Sequence, residues 1–128
     1  MISYNRAIQE EELVRDIIIT LNLNYIDVDR VRVVYSTGSK SRAIARIWSI
    51  PKVIINAFEM KPVYVIELIS ERFLKLSYED KIRVLIHEIL HIPYNFTGGL
   101  RSHGRKVNSR EVNKLYKKYF KLKAKNSS

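Results

Sequence analysis

His87-Glu88-Ile89-Leu90-His91 lies inside the apolar run Val84 to Ile92, and a third histidine, His103, follows twelve positions after His91. On a helix of about 3.6 residues per turn, positions four apart stand one above the other, so His87 and His91 can offer both imidazoles to one metal ion. Glu88 then projects beside them without being a ligand. In this H-E-x-x-H arrangement two histidines hold zinc, and the glutamate is placed to take a proton from the metal-bound water. Leu85, Ile86, Ile89, Leu90 and Ile92 are all uncharged, as a helix sunk in a core requires. An ordinary helix with two hydrogen-bonded histidines would also account for the spacing. It gives no reason, however, for a carboxylate in so apolar a stretch, where an unpaired charge is costly.

Working outward, Ser77-Tyr78-Glu79-Asp80 reads as the start of this helix, with Ser77 capping its N–H groups and two acids in its first turn. The helix is predicted to reach Ile92, because Pro93 cannot continue it. Residues 94–102 form a loop with Gly98-Gly99 at its bend, glycine supplying positive φ angles at low steric cost. His103-Gly104 therefore stands where a returning ligand is expected. Catalytic zinc usually keeps three protein ligands and leaves the fourth position to water. His103 is the expected third ligand, and Glu111, twenty positions beyond His91, is its rival. Glu111 could instead orient a ligand imidazole. A last helix over residues 107–122 places Val112, Leu115, Tyr116 and Tyr119 on one face and Lys114, Lys117, Lys118 and Lys121 largely on the other, with residues 123–128 frayed. Tyr94, Tyr116 and Tyr119 could donate to an oxyanion, but tyrosines near a helix face are more often packing residues.

Toward the N-terminus, residues 4–21 have helical spacing in Ile8, Leu13, Val14, Ile17, Ile18 and Leu21, with acids early in the run. Val31, Val33 and Tyr35 alternate with Arg32, Val34 and Ser36 in strand fashion, and residues 36–41 have turn composition. This predicts a hairpin onto a second strand through Ala43, Ala45 and Ile47. Residues 51–60 read as a short helix opened by Pro51, and residues 63–70 as a strand. That strand, if it lay at the sheet edge, could pair with an extended substrate through its backbone. The predicted class is α+β: a small mixed sheet with an N-terminal helix, the histidine-bearing helix and a C-terminal helix.

A length of 128 residues predicts one domain spanning the chain, and 46% hydrophobic residues is ordinary for a soluble protein. No run approaches the roughly 18 to 20 apolar residues of a membrane span, and Glu10, Glu11 and Glu12 come too early for a secretory signal. The expected location is cytoplasmic, with no membrane partner. With no cysteine there is no disulfide, thiolate ligand or thiol nucleophile, so a metal must rely on histidine, carboxylate and water. The net charge of +10 is uneven: from Arg101 onward ten Lys or Arg face one acid, Glu111, whereas the first hundred residues hold thirteen against twelve. Such a patch could meet DNA or another acidic partner, although a basic face on a terminal helix is more often solvated surface.

From about Ala43 through Tyr119 the chain resembles zincin metallopeptidases, in particular the SprT-like group and small metallopeptidases of archaea and phages. The resemblance rests on Tyr64-Val65-Ile66-Glu67 leading to Leu76-Ser77, on residues 85–93 around the H-E-x-x-H motif, and on Gly98-Gly99-Leu100-Arg101-Ser102-His103-Gly104. It implies a minimal zincin fold, zinc bound by His87, His91 and His103, Glu88 as the base, and a polypeptide substrate. Two features depart from the SprT-like pattern: Val107 stands where an aromatic residue commonly follows the His-Gly step, and there is no C-terminal cysteine-rich ribbon. The expected activity is zinc-dependent peptide hydrolysis, the metal lowering the pKa of its water and polarising the carbonyl while Glu88 passes the proton to the leaving amine. The competing expectation is a non-enzymatic nucleic-acid-binding module that uses the basic C-terminal helix, with metal absent or structural.

Overall fold

A strand that is apolar on both faces belongs in the middle of a sheet. In Tyr64–Ile69, five of the six side chains are buried, Val65 being the exception. The computed structural model, which describes residues 1–126, places this segment centrally in a four-stranded sheet. In chain order the strands are β1 (Ser3–Arg6), β2 (Val31–Thr37), β3 (Ala45–Ser49) and β4 (Tyr64–Ile69), and across the sheet they run β1-β2-β4-β3. β2 and β4 are parallel, while β1 on β2 and β3 on β4 are antiparallel. The helices are α1 (Ile8–Thr20), α2 (Lys52–Ala57), α3 (Ser70–Phe73), α4 (Tyr78–Leu90) and α5 (Ser109–Asn126). The class is α+β with a mixed sheet, as the sequence predicts.

The register aligns Val33, Ile66 and Ile47 in one row of the inner face. α1 packs over β2, with Val14, Ile17 and Ile18 buried, and α4 buries Ile82, Leu85, Ile86 and Ile89 beside it. α5 lies against α1 and α4. The Tyr119 hydroxyl and Lys123 both reach Asp16 of α1, at 2.5 and 3.2 Å. That tie carries α5 to Asn126, so residues 123–126 are helical rather than frayed. Residues 127 and 128 lie outside the described part. Among the described residues no helix is long and apolar enough to cross a membrane.

Four sequence expectations are corrected. Residues 3–6 are a strand and not the first turn of the N-terminal helix, because pairing Tyr4 with Ser36 and Arg6 with Val34 satisfies the outer edge of β2. Glu11, expected only to favour the helix dipole, instead accepts from the Val33 amide at 3.0 Å and pairs with Arg6 at 2.9 Å. β2 and β3 do not form a hairpin, since β4 lies between them and buries more apolar surface there than β3 would. For the same reason β4 is not an edge strand. The exposed edge on the side of α4 is β3.

The outer sheet face carries Arg46, Trp48 and Glu67. The Glu67 side chain is 1% exposed and accepts from Arg46 Nε at 2.9 Å and Trp48 Nε1 at 2.8 Å. Ser36 Oγ is buried nearby but outside hydrogen-bond geometry. Burial pushes the Glu67 carboxyl up, yet the bonds from Arg46 and Trp48 and the Arg46 charge outweigh it and hold it below the ordinary glutamate range. A carboxyl whose pKa is depressed on folding stabilises the protein above its unfolded pKa and loses that contribution as pH falls through the folded value. The stability difference between wild type and Glu67→Gln should therefore be largest near neutral pH and shrink below about pH 4. Urea unfolding at a series of pH values measures it, and a gap constant from neutral pH down to about pH 3 would contradict it.

Candidate metal centre

α4 begins where the sequence places it, with Ser77 Oγ accepting from the Asp80 amide at 3.2 Å. It ends one turn short of Pro93, with His91 as its cap residue in the right-handed helical region. His87 and His91 therefore still project from one side, their ring centroids 5.1 Å apart. The chain then turns back through Gly98 and Gly99, at φ +95° and +75°, values that disfavour any residue with a Cβ. At Gly98 an added Cβ would also come within 3.0 Å of Ile55. The Tyr64 hydroxyl of β4 holds this bend from beneath, accepting from Gly98 N and donating to Gly99 O, both at 3.1 Å.

The reversal returns His103 to the helix. Its ring centroid lies 5.1 Å from that of His87 and 4.8 Å from that of His91, and the Nε2 atoms of His87 and His103 are 3.0 Å apart. One potential ligand atom from each of the three rings lies within 4.8 Å of the others, so this trio could hold a metal. Glu111 is not part of that cluster. Its amide donates to Asn108 Oδ1 at 2.9 Å, which marks it as a first-turn residue of α5.

Arg101 fixes the geometry of His91 in a way the sequence reading missed. Its amide donates to His91 O at 2.7 Å and its Nε to Leu90 O at 3.0 Å, closing the C-terminal end of α4. Its own carbonyl accepts from His91 Nδ1 at 2.5 Å. A carbonyl can only accept, so Nδ1 carries the proton and Nε2 is left with its lone pair free. Beyond His103, Asn108 Nδ2 donates to Gly104 O at 2.6 Å, pinning the other flank. Asn just before a helix is a recognisable N-cap signal, and it moves the start of α5 two residues beyond the expected Val107. Nothing comparable in the sequence signals Arg101, whose decisive contact uses its backbone.

Glu88 is 7% exposed, and burial alone pushes its carboxyl up to about 7. Burial, and then the proximity of His91 and His103, lower the His87 pKa, which favours the neutral imidazole that ligates metals. Two cavities open on these groups. A cavity of about 260 Å³ is lined by the three histidines, Glu88, Leu100 and Ala45 to Ile47 of β3. The second, about 520 Å³, also reaches His87 and Glu88 and is bounded by Arg42, Ile44, Arg83 and Val112. None of the three tyrosines considered as oxyanion donors lines either cavity: the Tyr94 ring meets Tyr25 edge-on and lies under Arg101, Tyr116 lies under Arg83, and the Tyr119 hydroxyl bonds Asp16. Lys114, Lys117, Lys118 and Lys121 are exposed on α5, and none lines either cavity.

Residues 2–121 match the model of the family described as Putative phage metallopeptidase. The chain belongs to that family. Its description implies a metal-dependent peptidase acting on polypeptide. No curated protein and no solved structure matches the chain.

The Tyr64 hydroxyl is the side-chain support under the Gly98-Gly99 bend of this metallopeptidase, and its removal leaves the buried Gly98 amide without a partner. Tyr64→Phe should lower unfolding free energy by about 1–3 kcal/mol. Urea unfolding followed by circular dichroism checks this, and an unchanged midpoint would mean that the bend is held by other contacts.

Proposed function

We propose that this metallopeptidase is a zincin-type, zinc-dependent enzyme in which His87, His91 and His103 hold the metal and Glu88 is the general base. The observation that carries the reading is the convergence of three imidazoles beside a buried carboxylate that is not one of them. The donor set suits zinc: three nitrogen ligands, no thiolate, and an opening for a fourth position. The carbonyl of Arg101 orients His91 as outer partners of metal-bound histidines commonly do. Bound there, zinc would supply a Lewis acid that lowers the pKa of water and polarises a carbonyl.

The chain's own residues account for the rest. Glu88, with a carboxyl poised near neutrality, can accept a proton from water and return it to a departing amine. β3 is hydrogen-bonded to β4 on one side only, and Ala45, Arg46 and Ile47 line the cavity at the histidines. An extended peptide can therefore add to the free edge of β3, which takes the place the sequence reading gave to β4.

Purified without chelator, the protein should contain about one zinc per chain by elemental analysis, and His103→Ala should weaken zinc binding at least about 100-fold, beyond the cost of losing a group that merely orients a ligand. Glu88→Gln should keep the zinc and lose at least about 100-fold in peptide hydrolysis. Zinc-free protein, or hydrolysis unchanged in Glu88→Gln, would overturn the reading.

A further inference from the structure

The larger cavity has a charge pattern that catalysis does not require. Its lining includes Ile44, Val84 and Val112 as apolar wall, Glu88, and two guanidinium groups, Arg42 and Arg83. Arg83 is committed: Nη1 donates to Asp80 at 3.0 Å, Nε to Asn113 at 3.2 Å, and the group stacks over Tyr116 at 4.0 Å. Arg42 is exposed and makes no ion pair with any described residue. Its backbone is nevertheless braced on both sides. The Ser41 amide donates to Ser39 Oγ and the Ala43 amide to Ser41 Oγ, both at 3.1 Å, and Ile44 O accepts from the Ile69 amide at 3.0 Å.

An exposed, unpaired guanidinium on a braced backbone, at an apolar-walled cavity adjoining the proposed base, is an arrangement that recognises one kind of side chain. We propose that this cavity receives an acidic side chain of the polypeptide substrate, preferably glutamate, and that Arg42 determines that specificity. The proposal rests on the peptidase reading and names its substrate class. A glutamate stem can lie against Ile44, Val84 and Val112 while its carboxylate takes a forked pair of hydrogen bonds from Arg42. A lysine in the same place would face the unpaired Arg42 guanidinium, since Arg83 is already matched by Asp80, and such like-charge opposition is how sites reject the wrong partner. The cavity volume of about 520 Å³ leaves room for the side chain together with flanking backbone. Added salt should reduce the preference, because Arg42 is exposed.

The test uses three fluorescein-labelled octapeptides, identical but for one central residue, Glu, Gln or Lys. Their binding to zinc-loaded Glu88→Gln protein is read by fluorescence anisotropy, and their cleavage by wild type is read separately. The Glu peptide is expected to bind about tenfold more tightly than the Gln peptide, with Lys weakest. Arg42→Gln should erase the difference, and Arg42→Glu should reverse the Glu and Lys order. Equal affinities, no binding of any peptide, or a preference that survives both Arg42 variants would overturn the inference. Selective binding with no cleavage by zinc-loaded wild type would sink the peptidase reading and leave the acidic pocket standing. Cleavage without charge preference would do the reverse.

Discussion

The end of α4 is held by one residue acting three times. Arg101 gives its amide and its guanidinium to the last carbonyls of the helix, and its own carbonyl accepts a hydrogen bond from His91 Nδ1. Helix ends leave backbone groups unsatisfied, and here the partner that satisfies them is also the chain that carries His103 two residues later. Capping the helix and assembling the histidine cluster are the same event. The separation of His103 from the other two rings therefore follows from backbone hydrogen bonding more than from side-chain packing. Tyr64 and Asn108 reinforce it from either side of the loop.

The second constraint is the buried carboxylate. A glutamate amid Leu85, Ile86, Ile89 and Leu90 is unfavourable when charged, and no cation pairs with it among the described residues. It is tolerated because α4 runs beside an edge strand, where Glu88 lines two cavities. Glu67 is the contrasting case. It is more deeply buried, but Arg46 and Trp48 keep it ionised, and it serves the sheet.

Much of this was legible in the sequence because it is local. Ser77, Pro93 and the spacing of His87 and His91 belong to one helix, and the two glycines announce a turn whatever lies around them. The buried positions of α1, Val14, Ile17 and Ile18, follow from periodicity in the same way. The misreadings concern partners distant in sequence. Nothing within residues 31–47 says that β4 will come between β2 and β3, and nothing within residues 3–6 says that an unpaired strand edge awaits them. Arg101 escaped notice because its identity matters less to the site than the path of its backbone.

The sheet order has one more implication. Between β2 and β4, the two strands that lie at its middle, the chain makes an excursion through Arg42, β3 and α2 before returning. That detour forms one lip of the cleft, while the histidines and Glu88 come entirely from later sequence. Recomposing its first part, residues 39–44, can thus reshape the lip of the larger cavity while the central pair and the histidine cluster keep their contacts, whereas Ile55 of α2 packs on the Gly98 bend and is tied to that cluster.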